Sequence, residues 1–276
     1  MTVRAWLRRW REARTLEKRA IPDALWRLTL ARFPFLAYRG DADVARLRDL
    51  ATLFLARKEF TGAHGLTVDD AMAVAISAQA CVPVLELGLA WYDGFIGIVV
   101  HADAVVAQRE VMDEAGVVHH YEEELSGEAM HGGPVMLSWS DVDEAGESAE
   151  VGYNVVIHEF AHVLDMRDGQ ADGIPPLADR SARDAWQRVL WVEYDAFCQR
   201  IAVRDATLLD PYAAQAPEEF FAVCAEAFFV APQEFLAEHA PMYALLRGFF
   251  KQDPAAHVPT SERTSERASL RSPMHP

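Results

Sequence analysis

Only three cysteines, Cys81, Cys198 and Cys224, occur in 276 residues; they are odd in number, widely separated and set in apolar surroundings. This excludes a disulfide framework and a Cys-x-x-Cys metal site, and predicts buried free thiols in a reducing, cytoplasmic compartment. No apolar run approaches the ~20 residues that a membrane span requires. The arginine-bearing N-terminus lacks the apolar stretch of a secretory signal. Positive charge is also scarce: 26 Lys and Arg stand against 42 Asp and Glu, a net charge of −16. Nucleic acid is therefore not an expected partner. No internal repeat is visible. What remains, 51% hydrophobic and 25% charged residues, describes a globular chain long enough for one large core or two small ones.

The few cations are concentrated. Residues 1–40 hold ten Arg or Lys against Glu12, Glu17 and Asp23. Residues 4–20 read as a basic amphipathic helix with Trp6, Leu7 and Trp10 packed on the body and its arginines in water. The alternative is a docking arm for an acidic surface or a membrane.

Apolar spacings of three and four predict further helices around 24–31, over 43–60 and from Asp69 to Gln79, with Pro83 interrupting. Residues 95–100, 117–121 and 134–139 are strand candidates, and the acidic segment 122–128 reads as an exposed connection. Helices follow again at 182–201, 217–230 and 242–249. From about Asp253 the chain is rich in Ser, Pro, Thr and Arg, and reads as disordered. The expected fold is α+β, a small mixed sheet behind an N-terminal helical region, in the zincin-like layout that a helix bearing His158-Glu159-Phe160-Ala161-His162 suggests. The expected organisation is a basic arm over 1–20, a helical region over 21–90, a catalytic domain over 91–252 and a tail over 253–276. In such a layout the strand before the metal helix runs along the cleft and pairs with an extended peptide, a role expected of Pro134–Trp139.

The chemistry is carried by His158-Glu159-Phe160-Ala161-His162. Residues four apart share one helix face, so both histidines can reach a single ion. Glu159 sits one step round, where its carboxylate can hold a water rather than the metal. Val156, Phe160 and Val163, widened by Ile157, Ala161 and Leu164, make the helix mostly buried. Two histidines and a glutamate on a buried helix are costly unless a cation such as zinc satisfies them together. Gly169 is a plausible end for this helix.

A catalytic zinc needs a third protein ligand and an open position. Asp168 lies ten residues after His158, where metzincin-like chains place theirs. That pattern needs a turn-forming Gly where this chain has Asp165, so Asp168 is disfavoured. Downstream, Pro217 can open a helix on which Glu219 and Glu226, seven apart, share a face. Spacing does not choose between them. Asp165, one turn beyond His162, is a candidate to orient a ligand imidazole.

From about Ile21 to Pro254 the chain resembles the Mlc titration factor A family of bacterial zinc peptidases. The shared words include Ala80-Cys81-Val82-Pro83, Gly133-Pro134-Val135-Met136-Leu137-Ser138-Trp139, Gly152-Tyr153-Asn154 leading into His158-Glu159-Phe160-Ala161-His162, and Glu219-Phe220-Phe221-Ala222-Val223. The resemblance implies one Zn²⁺ held by His158, His162 and Glu219, with Glu159 as the catalytic base. Through a further likeness to the catalytic domain of anthrax lethal factor, it implies Tyr212 as a hydrogen-bond donor to the oxyanion. It implies aminopeptidase-like hydrolysis of short peptide substrates. The alternative it carries is a protein-binding regulator that sequesters a transcriptional repressor of sugar uptake. A closed structural zinc site is a weaker reading, because a fourth ligand, usually Cys, is missing from the motif.

Overall fold

Asp69, Asn154 and Asp179 each precede an apolar-periodic run, and each side chain accepts a hydrogen bond from the backbone N–H three residues on. These caps start three of the helices in the computed structural model, which describes residues 3–112, 118–148 and 152–258. Helices α1 (Val3–Arg19), α2 (Asp23–Arg32), α3 (Asp41–Leu55) and α4 (Asp70–Cys81) come first, with strand β1 (Glu59–Gly62) between the last two. Strands β2 (Gly97–His101), β3 (Val105–Met112), β4 (Val118–Leu125), β5 (Gly127–Ala129) and β6 (Val135–Ser138) follow. The remainder is helical: α5 (Trp139–Ser148), α6 (Val155–Asp165), α7 (Arg180–Ala202), α8 (Pro217–Val230), α9 (Pro232–Glu238) and α10 (Ala240–Phe250). The fold is α+β, with a helical N-terminal region and a small mixed sheet.

The sheet runs β1-β2-β6-β5, parallel across β1, β2 and β6 and antiparallel between β6 and β5. β3 and β4 form a separate antiparallel pair. The expected helix over 43–60 stops at Leu55, because Glu59–Gly62 pairs with β2 instead. Lys58 fixes that departure, donating to the carbonyls of Tyr92 and Phe95 and lying 3.6 Å from the centre of the Phe95 ring. Segment 122–128 is not a loose connection: it forms the end of β4 and the start of β5, its glutamates hiding the strand pattern. Val117 lies outside the described residues.

Pro134–Trp139 cannot take the expected role beside a peptide. Its strand, β6, already spends both edges on β2 and β5. Among the described residues β5 is the edge strand on that side, and it lies against α6. The edge available to an extended chain is therefore that of Gly127–Ala129.

One continuous core joins the two regions. Phe160 of α6 is fully buried, its ring centre 5.7, 5.0 and 5.8 Å from those of Phe54, Tyr92 and Phe95. Truncating a residue packed in this way costs about 3–5 kcal/mol. Helix α8 is buried from Phe220 to Val230 and packs directly on α6. Beyond α10, Asp253 accepts from the Tyr243 hydroxyl at 2.5 Å, and the Ala255 N–H donates to that hydroxyl at 2.9 Å. The expected tail thus begins with residues bound to the body; 259–276 lie outside the described residues. At the other end, Trp6, Leu7 and Trp10 face solvent rather than packing on the body.

Candidate metal centre

The centre is built by α6 and α8, which pack directly on one another. Asn154 caps α6, its side-chain oxygen accepting from Ile157 N at 2.9 Å, so that the helix begins one turn before His158. Pro217, in the first turn of α8, loses no hydrogen bond there, and Glu219 stands two residues on in the same turn. His158 Nε2 and His162 Nε2 lie 3.1 and 3.3 Å from Glu219 Oε2, and 3.2 Å from one another. Among the described residues these three form the one group able to hold a metal ion.

Those spacings test the fit of a metal. Zn²⁺ bound at about 2.0–2.1 Å by three ligands of a tetrahedron requires ligand atoms about 3.3 Å apart. The observed 3.1, 3.2 and 3.3 Å match that edge on every side. Two imidazole nitrogens and a carboxylate oxygen converging on one point suit a borderline-soft cation.

The two glutamates that spacing left equivalent are separated by the two nitrogens of one ring. Glu219 faces His158 Nε2, whereas Glu226 lies 2.7 Å from His158 Nδ1. Glu226 is almost wholly buried and also accepts from the Asn154 backbone N–H. It holds the imidazole from behind, fixing which nitrogen points at the site. Asp165 is buried near His162, and one of its carboxylate oxygens accepts from Gly173 N at 2.8 Å. Asp168 is not brought to the histidines; it pairs with Arg183 at 3.4 Å.

Electrostatics follow from burial and pairing. Burial alone would lower the His158 pKa, but its bonds to Glu219 and Glu226 outweigh that and raise it well above the usual value. Burial pushes Glu219 up, and the two histidines overcome it, holding this carboxyl far below the usual range. Glu226 and Glu159 are pushed up by burial despite the imidazoles nearby. A cation held by the imidazoles would satisfy this cluster of three carboxylates.

Glu159 is only 5% exposed and lines a cavity of about 460 Å³ that also touches His158, Glu226, Tyr153 and Tyr212. Tyr212 stands in a short 3-10 turn (Pro211–Ala214) that opens at Asp210, whose carboxylate accepts from Tyr212 N at 2.8 Å. Its ring centre is 6.1 Å from that of His158. Spacing gave no sign of two neighbours. Tyr153 precedes the cap residue, and Gly127 of β5 passes so close that a Cβ there would lie 2.5 Å from Glu159 Oε1 and 2.6 Å from its Cγ. Gly127 sits in a segment without β-branched residues, so no strand pattern marked it.

Gly127→Ala should therefore displace the Glu159 carboxylate without touching the three convergent ligand atoms. We expect turnover to fall about 10- to 100-fold, the scale of a ~1 Å misplacement. Metal content and melting temperature should stay near those of the parent. Steady-state kinetics beside metal analysis checks this; an unimpaired variant would mean the carboxylate works from another position.

A buried helix carrying His-Glu-x-x-His, met by a glutamate from a second helix beside an open cavity, defines a metallopeptidase. Residues 7–251 match the glucose-regulated metallo-peptidase M90 family, and the chain belongs to it. It is similar to Mlc titration factor A of Yersinia enterocolitica, 35% identical over 255 residues, 91% of this chain and 94% of that protein. The same named protein from Salmonella arizonae is 35% identical over 241 residues, covering 86% of this chain and 94% of its own length. An uncharacterized Synechocystis protein is 34% identical over 247 residues, 89% of each chain.

Proposed function

We propose that this metallopeptidase is a zinc-dependent aminopeptidase acting on short peptides, with one zinc held by His158, His162 and Glu219. The observation that carries the reading is the 3.1–3.3 Å triangle of ligand atoms, with the buried Glu159 carboxylate beside it. When bound, zinc supplies Lewis-acid chemistry, easing ionisation of water and polarising a carbonyl. Glu159 takes the proton from the attacking water and returns it to the leaving amine. Glu226 keeps the His158 ring in one orientation throughout. The free edge of β5 receives the peptide backbone, and the cavity lined by Val223, Ala227 and Leu209 takes an apolar side chain next to the scissile bond.

Tyr212 is assigned as a donor to the oxygen that gains charge at the scissile carbonyl. A donor of this kind acts in the transition state, so Tyr212→Phe should lower kcat about 10²-fold and leave KM nearly unchanged. An unchanged kcat would make Tyr212 a packing residue.

Metal analysis of the purified chain, with fluorogenic peptides bearing free or blocked N-termini, tests the whole reading. Stoichiometric zinc and cleavage restricted to free N-termini are expected; cleavage of blocked peptides at equal rate would make it an endopeptidase. The three free cysteines fit a cytoplasmic setting. The relatives' names refer to titration of Mlc, so a second reading is a chain that captures a transcriptional repressor. Retention of Glu159 favours catalysis, because capture alone has no use for it.

A further inference from the structure

Helix α1 turns an apolar stripe away from the body to which it is attached. Its half-buried side, Glu12, Thr15 and Leu16, faces α3, and Glu12 accepts from Arg57 at 2.7 Å. On the opposite side Trp6, Leu7 and Trp10 are 55%, 40% and 50% exposed, and Ala13 continues the stripe one turn on. Arg11, Arg14 and Lys18 follow one another at helical spacing along one border of the stripe, all exposed. The Arg14 guanidinium lies 5.4 Å over the half-exposed Trp10 ring. Glu17 closes the stripe at its C-terminal end.

We propose that this face is a docking surface for an anionic lipid bilayer, with α1 lying in the headgroup plane. The chemistry fits on three counts. Tryptophan rings carry an apolar body and an N–H, and settle where headgroups meet acyl chains. A row of Arg and Lys beside them meets lipid phosphates, while their stems stay along the apolar stripe. Residues 1–20 hold seven Arg or Lys against two acids in a chain of net charge −16, so an anionic surface attracts this face and repels the rest. A protein partner would need a groove shaped to two tryptophans on a single convex helix. A bilayer deforms to accept them. None of the described helices is long and apolar enough to cross a membrane, so the contact is peripheral.

The test uses the full chain with vesicles of phosphatidylcholine alone or containing about 40% phosphatidylglycerol, at low and high salt. We expect sedimentation with the anionic vesicles only, a blue shift of tryptophan emission, and release by salt. Trp6→Ser with Trp10→Ser should weaken binding about tenfold or more. Arg11→Glu, Arg14→Glu and Lys18→Glu together should abolish it. Both variants should keep peptide hydrolysis and melting temperature, since neither touches the cavity or the core. Absence of binding to anionic vesicles, equal binding to neutral ones, or binding unchanged in either variant overturns the proposal. So does lipid-free self-association that the tryptophan variant abolishes, which would make this face an interface between copies.

Discussion

Glu159→Gln should retain zinc and lose about 10²–10⁴ in peptide turnover, the range of a general base. The substitution keeps the side-chain volume against Gly127, where there is no room for more atoms. It removes the capacity to take a proton together with the negative charge, while adding no bulk. Burial pushes the Glu159 carboxyl up from its ordinary range, and a cation held by the neighbouring imidazoles would act in the opposite direction. Metal content by mass spectrometry and single-turnover cleavage should be measured on one preparation. A zinc-loaded variant of full activity would remove Glu159 from the chemistry. A variant that lost its metal would show that the residue holds the site together instead.

The second large effect is expected at Glu219. Glu219→Ala removes the oxygen that lies 3.1 and 3.3 Å from the two imidazoles, and should release most of the metal with essentially all activity. Asp168→Ala should keep both, since Asp168 pairs with Arg183 at 3.4 Å away from the histidines. Glu226→Gln should fall between them, losing about 10- to 100-fold in metal affinity, as outer partners of a ligand histidine do. Equilibrium dialysis against a zinc chelator ranks the three. If Asp168→Ala lost the metal and Glu219→Ala kept it, the assignment of the third ligand would be wrong.

Much of this was readable in the chain. His158 and His162 come together because four residues make one helical turn, and their helix starts where Asn154 can cap it. Helix α8 was legible from Pro217 and the apolar run behind it, and the structure gives it the expected bounds. Other features depend on partners distant in sequence. Phe60 continues the apolar spacing of α3, yet its segment leaves the helix for a strand because β2 lies alongside to pair with it. Gly127–Ala129 has no strand composition, and only β6 makes it one. Glu219 and Glu226 occupy one face of one helix. What distinguishes them is the opposite nitrogens of a ring on another helix, and spacing along a single chain carries no record of that. Trp6 and Trp10 were expected to pack inward; apolarity gave the stripe, but not the side to which the helix would be tethered.

Asn154 joins three elements at once. Its side chain caps α6 and donates to Gln79 Oε1 of α4 at 2.7 Å, while its backbone N–H donates to Glu226 of α8. The angular setting of the motif helix is therefore locked at its cap residue by two other helices. A turn of about 10° about its axis would carry a side-chain tip some 6 Å out by about 1 Å, enough to take a reacting group out of position. The N-terminal helices thus act as an alignment jig: α4 touches none of the convergent ligand atoms, yet through one amide it sets where both histidines aim.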